Sequence, residues 1–165
     1  INKKDLIMCA KFRSGHFEGV LAVIKQFLLK IKPSLMFLGE KDYQQIYLIK
    51  KFISGKFKTK IVKCKTIRNK NGLPYSSRNV LLNKKNLQIA INISQIIKKF
   101  YNTLKLNFKK SEDINLVKNK IINKNVKLEY LEIRNKLNLS KKINKKNFKI
   151  FIAYYINGIR LIDNY

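Results

Sequence analysis

The chain has 165 residues, 45% of them apolar, and a formal net charge of +28, which suits one domain or slightly more with a core of its own. No apolar run is long enough to cross a membrane, and Ile1-Asn2-Lys3-Lys4-Asp5 leads into too short an apolar patch for a signal peptide. Two distant cysteines, Cys9 and Cys64, and a single histidine, His16, exclude a disulfide framework and a clustered zinc site; two free thiols in a reducing cytoplasm are expected, with no metal ligands within this chain.

The charge invites a nucleic-acid reading, because lysines displace the counterions of phosphates. Two observations weigh against it. The basic side chains are 32 Lys and only 5 Arg, whereas base readers favour the bidentate arginine fork. Lys, Ile and Asn make up 75 of the 165 residues, and all three share A/T-rich codons. The lysines are also spread along the chain, as codon bias and a solvated surface would leave them.

In chain order, Phe17, Val20, Leu21, Ile24, Phe27, Leu28 and Ile31 follow the helical period and predict an amphipathic helix ended by Pro33. Leu35-Met36-Phe37-Leu38 is a continuous apolar run, the pattern of a buried parallel strand, closed by Gly39. A second helix carries Tyr43, Ile46, Ile49 and Ile53 on one face and ends at Gly55. Lys60 to Cys64 reads as the next strand. This helix–strand–helix–strand series predicts a parallel sheet with crossover helices over residues 1–65.

Beyond Ile67 the pattern changes. Asn69-Lys70-Asn71-Gly72 is a turn, Pro74 to Asn79 a polar loop, and Leu87 to Leu104 a helix. Ser111 is expected to cap a further helix, with Glu112 and Asp113 in its first turn and Ile114, Val117 and Ile121 on its apolar face. Val126, Leu128 and Tyr130 alternate as a strand. After a Lys/Asn-rich loop from Ser140 to Asn147, Phe148 to Tyr155 is a strand. Asn157-Gly158 is the type I′ hairpin pair, and Ile159 to Ile162 returns beside it. Residues 66–165 are therefore expected to form a second, α+β domain with an antiparallel sheet.

Three polar clusters could carry chemistry. Gly39-Glu40-Lys41-Asp42-Tyr43-Gln44-Gln45 lies where a parallel strand gives way to a helix, the edge at which open α/β sheets bind ligands and anions meet helix N-termini. There Gly39 would admit a ligand to the backbone, Lys41 meet a phosphate, Asp42 accept from a ribose and Gln45 face the same side. A solvated loop with a capping Asp explains the spacing equally well. Pro74-Tyr75-Ser76-Ser77-Arg78-Asn79 offers two hydroxyls and a guanidinium to a triphosphate, or is a turn with a surface arginine. Arg13-Ser14-Gly15-His16-Phe17 opens a helix, where a lone histidine more often caps than catalyses.

The three clusters occur in one order, and that order resembles the pantothenate synthetase family. Its pattern runs R-x-G-H-F-x-G-V, then P-D-x-x-x-F-G-E-K-D-x-Q-Q, then R-x-x-D-G-L-x-x-S-S-R-N. This sequence reads RSGHFEGV, PSLMFLGEKDYQQ and RNKNGLPYSSRN, and its ending Arg160-Leu161-Ile162-Asp163-Asn164 is similar to the family's closing R-L-I-D-N. The match is loose between Lys105 and Asn147. Ser14, Asn71 and Tyr75 depart from the family's usual Pro, Asp and aliphatic residue. The resemblance implies half of a Rossmann-like nucleotide-binding domain, residues 1–65, and a C-terminal lid domain, residues 66–165.

It also implies a cytoplasmic, AMP-forming ligase that joins pantoate to β-alanine through a pantoyl adenylate, with ATP and Mg²⁺, and a homodimer at full length. By the same resemblance Gly39, Glu40 and Asp42 belong to the ATP site, with Gly39 and Asp42 on the ribose. Lys41 contacts the phosphates, Gln45 holds pantoate, and the Ile67 backbone meets adenine. Tyr75 lies in the pocket wall; Ser76, Ser77 and Arg78 bind the triphosphate. Lys41 and Arg78 are the catalytic pair, and Arg13 and His16 line the site. The family's H-x-G-H motif has no counterpart here, so the 165 residues are expected to follow a preceding segment and to be inactive alone. The rival expectations are a basic nucleic-acid-binding protein and a related nucleotidyltransferase with another substrate.

Overall fold

The computed structural model describes residues 1–108, 113–124 and 126–165. The chain divides into two compact units, Ile1–Thr66 and Ile67–Tyr165. Among the described residues no helix is long and apolar enough to cross a membrane.

In the first unit a short helix α1 (Cys9–Phe12) leads to α2 (His16–Ile31). Strand β1 (Leu35–Gly39), helix α3 (Tyr43–Ile53) and strand β2 (Lys60–Cys64) follow. The two strands are parallel, with Leu35 opposite Lys60 and Gly39 opposite Cys64, as the helix–strand alternation requires. Lys32 closes α2 in the left-handed region (φ 49°), just ahead of Pro33. Leu28, Ile49 and Ile53 form the core, with Met36, Leu38 and Ile61 of the sheet packed against it.

The expected double-sided burial of β1 is not found. Strand residues alternate between faces, and only the face bearing Met36 and Leu38 is covered by helices. Leu35 and Phe37, on the other face, are 47% and 64% exposed. The helix expectation needs the same correction: Phe17 and Leu28 are buried, whereas Phe27 and Ile31 stand exposed.

The second unit packs α4 (Lys84–Leu106) and α5 (Ile114–Ile122) on an antiparallel sheet of β3 (Lys127–Asn135), β4 (Phe148–Ile156) and β5 (Ile159–Asn164), in that order. Phe100, Ile93, Ile97, Leu104, Ile121, Ile150 and Ile152 are virtually solvent-free, and each such side chain contributes about 1.5–3 kcal/mol of burial. Asn157 and Gly158 both have positive φ, 47° and 79°, the conformation of a type I′ turn. The start of α4, earlier than the apolar period suggests, is set by Asn83, whose side chain accepts from the Asn86 amide. The cap expected at Ser111, with Glu112 behind it, lies outside the described residues. Asp113 is itself the N-cap of α5 and accepts from the Asn115 amide at 2.8 Å. Strand β3 runs on to Asn135, and Val126 precedes it.

Candidate functional site

In the first unit, β1 ends at Gly39 and the chain passes through a 3-10 turn, Glu40–Asp42, directly into α3. Gly39 has ordinary extended backbone (φ −70°, ψ 127°), and a Cβ built on it would meet nothing within 4 Å. Neither conformation nor packing within the chain asks for glycine there. Asp42 occupies the N-cap of α3, yet its side chain makes no capping hydrogen bond; its carboxylate stands 3.7 Å from the Lys41 ammonium. The capping role that the spacing allowed is thus not the one Asp42 takes.

The two glutamines that follow diverge, because neighbouring helix positions point about 100° apart. Gln44 turns inward and is 6% exposed. Its amide donates to the Ile7 carbonyl at 2.8 Å, and its Oε1 has no protein partner. Gln45 stays half-buried on the rim. The Gln44 bond and the Lys51–Asp5 ion pair at 2.6 Å tie α3 to the segment ahead of Arg13. The Asp5 bond keeps the Lys51 ammonium above its usual pKa. Arg13 Nη1 donates to His16 Nε2 at 2.8 Å at the head of α2, so the proton of a neutral His16 is on Nδ1.

In the second unit, Arg68 and Pro74 form an isolated antiparallel bridge, and the Tyr75 amide donates to the Ile67 carbonyl at 3.1 Å. Asn69 Oδ1 accepts from the Asn71 and Leu73 amides, and Gly72 takes φ +90°, the conformation glycine tolerates best. The loop expected from Pro74 to Asn79 winds into a 3-10 helix, Ser77–Leu81. Ser76 caps it, its hydroxyl accepting from the Arg78 amide at 3.3 Å. Ile67, Tyr75, Ser77 and Arg78 are exposed, Ser76 partly so. Arg78 is anchored by one Nη, which donates to the Arg160 carbonyl at 2.8 Å.

Two residues without an assigned role stand out. Arg68 forks onto Asp163 with bonds of 2.7 and 2.8 Å, and its guanidinium lies 4.1 Å from the Tyr165 ring centre. Burial alone would lower the pKa of Arg68; the bond to Asp163 and its attraction outweigh that and raise it. Burial, reinforced by the Asp163 charge, pushes the Tyr165 phenol up to about 12. Both charged residues fall inside motifs quoted above, but their pairing across 95 positions has no signature in the sequence.

Among the described residues no group of three or more His, Cys, Asp or Glu converges as a metal site. Comparisons with known proteins bear on the whole chain. A family model described as pantoate-beta-alanine ligase matches residues 1–165. A pantothenate synthetase of Francisella tularensis subsp. mediasiatica is 40% identical over 160 residues, 96% of this chain and 53% of that protein. The crystal structure of pantoate-beta-alanine ligase from Francisella tularensis, complexed with beta-gamma ATP and beta-alanine, matches with TM-score 0.78 and 36% identity. It is matched over 100% of this chain and 56% of its own. A pantothenate synthetase from Thermus thermophilus shares the fold at TM-score 0.86 and 23% identity, over 100% of this chain and 61% of its own. The chain spans about half the length of the curated relatives it matches.

Proposed function

This chain belongs to the pantoate–β-alanine ligase family, and from that premise we propose that it takes part in the ATP-dependent condensation of pantoate with β-alanine. A pantoate carboxylate oxygen attacks the α-phosphorus of ATP, and the bond to the bridging oxygen breaks to release pyrophosphate. The β-alanine amine then attacks the acyl carbon of the pantoyl adenylate, loses a proton and expels AMP. Such chemistry needs placement and charge stabilisation more than a covalent nucleophile.

The observation that carries the reading is the turn Gly39–Asp42 at the end of a parallel strand. Gly39 leaves open space where a side chain would stand, and the Asp42 carboxylate is not engaged in capping. We assign Gly39, Glu40 and Asp42 to the ATP site, with Gly39 and Asp42 on the ribose. Lys41 would meet the phosphates as a point charge, and Gln45, on the rim of α3, the pantoate. In the second unit the Ile67 backbone would meet adenine, with Tyr75 at the pocket wall. Ser76, Ser77 and Arg78 would bind the triphosphate, Arg78 with the guanidinium donors that the Arg160 carbonyl leaves over. Arg13 and His16 would line the first unit's share.

Mg²⁺ enters as part of the nucleotide substrate, on phosphate oxygens. Residues 1–65 would act as half of the nucleotide-binding domain and 66–165 as a lid, in a cytoplasmic homodimer at full length. The only histidine among the 165 residues is His16, so the family's histidine pair is not supplied by them, and these residues alone would not turn over. Pantothenate formation from pantoate, β-alanine and MgATP by the full-length protein tests the reading. Lys41→Ala is expected to lower that rate about 100-fold or more; an unchanged rate would overturn the assignment.

A further inference from the structure

The stretch from Ile67 to Asn79 has little structure of its own: one bridge, one turn and one 3-10 helix. Strand β5 holds it at both ends. At one end a single guanidinium gathers the joint. Arg68 donates to both oxygens of Asp163, to the Gly72 carbonyl at 2.9 Å and to the Asn164 carbonyl at 3.0 Å. It also stacks on Tyr165. At the other end Arg78 reaches the Arg160 carbonyl. Arg160 in turn is clamped by Glu129, which also accepts from the Tyr155 hydroxyl at 3.1 Å.

We propose that the Arg68–Asp163 pair is a positioning device for nucleotide binding, which fixes where Ile67, Tyr75 and Ser76–Arg78 stand without itself meeting the nucleotide. The inference rests on the ATP-site reading given above. A buried ion pair is a poor source of net stability, since apolar residues of the same volume often serve as well. What the bidentate fork adds is direction: two parallel bonds in one plane set distance and angle together. Here that plane joins the base of the loop to a strand locked in a three-stranded sheet, and the carboxylate side of the joint is buried, Asp163 being 6% exposed against 22% for the Arg68 side chain. A lysine in place of Arg68 would keep the charge and lose the fork.

The test compares Arg68→Lys and Asp163→Asn with the parent in the full-length protein. Each substitution is expected to raise the KM for ATP about tenfold while leaving the KM for β-alanine unchanged, and the double variant should be no worse than either alone. In the 165-residue chain, MgATP should shift the amide signals of Ile67 and Ser76–Arg78, and the variants should blunt those shifts. A folded variant whose KM for ATP stays within about twofold of the parent would overturn the inference. So would loss of folding in both variants, which would make the pair a plain stability element. Parent amides that ignore MgATP would instead sink the site reading beneath it, a result distinct from parent amides that respond while the variants bind equally well.

Discussion

The two units solve the same problem of covering a sheet, and they solve it to different degrees. The first lays two helices on one face of a two-stranded parallel sheet and leaves Leu35 and Phe37 in water on the other. The second closes α4 and α5 over an antiparallel sheet, with Ile150 and Ile152 of β4 virtually solvent-free in the shared core. Parallel strands are normally covered on both faces, whereas an antiparallel sheet is stable with one. So the first unit's strands carry more apolar surface than the unit itself uses. The second unit adds guanidinium joints, Arg68–Asp163 and Arg160–Glu129, that brace its strands and loop. The difference teaches where stability resides: the larger share of cooperative packing belongs to the second unit.

The largest expected effect tests that assignment directly. Glu129→Ala leaves Arg160 charged, 9% exposed and without its carboxylate, at a cost of about 3–5 kcal/mol. In a urea titration followed by amide signals, those of residues 67–165 should unfold much earlier and those of 1–66 should not. Equal losses in both would abolish the distinction. A smaller contrast comes from trimming apolar side chains. Ile150→Val should cost the second unit about 0.5–1.5 kcal/mol, while Phe37→Ala, though it removes far more carbon, should change the first by less than about 0.5 kcal/mol. A reversed order would mean that Phe37 is covered in solution.

Alkaline pH gives the gentlest probe. Tyr165 titrates near 10 when unfolded and is pushed up to about 12 in the fold, so between those values the folded chain keeps a proton that the unfolded chain has released. Its contribution is complete below pH 10 and is lost as pH rises toward 12. The second unit's melting temperature should therefore fall over that window, and Tyr165→Phe should flatten the fall. An identical slope in the variant would remove Tyr165 from the account.

Much of this was legible in the sequence. The period of α3 marked its buried face, because Tyr43, Ile46, Ile49 and Ile53 must share one side of any helix. Asn157-Gly158 announced its turn because few other residue pairs tolerate two positive φ values. The sequence shows only the first part of β3, because the register shifts between Leu128 and Tyr130. An irregularity of that kind changes the phase of the alternation, so Leu131 and Ile133 no longer continue the pattern begun by Val126. The apolar run at β1 told what the strand prefers to contact, not what is there to cover it. At the candidate site, motif and strand end gave Gly39 to Gln45, and local chemistry suggested Ser76 to Arg78. The Arg68–Asp163 joint was not legible, since a contact across 95 positions depends on tertiary closure.

The five arginines have a consequence for how the molecule can be handled. Each has a defined partner: His16 for Arg13, Asp163 for Arg68, the Arg160 carbonyl for Arg78, Glu132 for Arg134 and Glu129 for Arg160. The 32 lysines carry most of the charge, and those among the described residues stand largely in solvent. Guanidinium groups thus serve as joinery and ammonium groups, Lys51 on Asp5 aside, as coating. A reagent that methylates amines while keeping their charge would repaint the coating and leave the joinery alone, so lysine labels can serve as reporters of solvent access on an undisturbed frame.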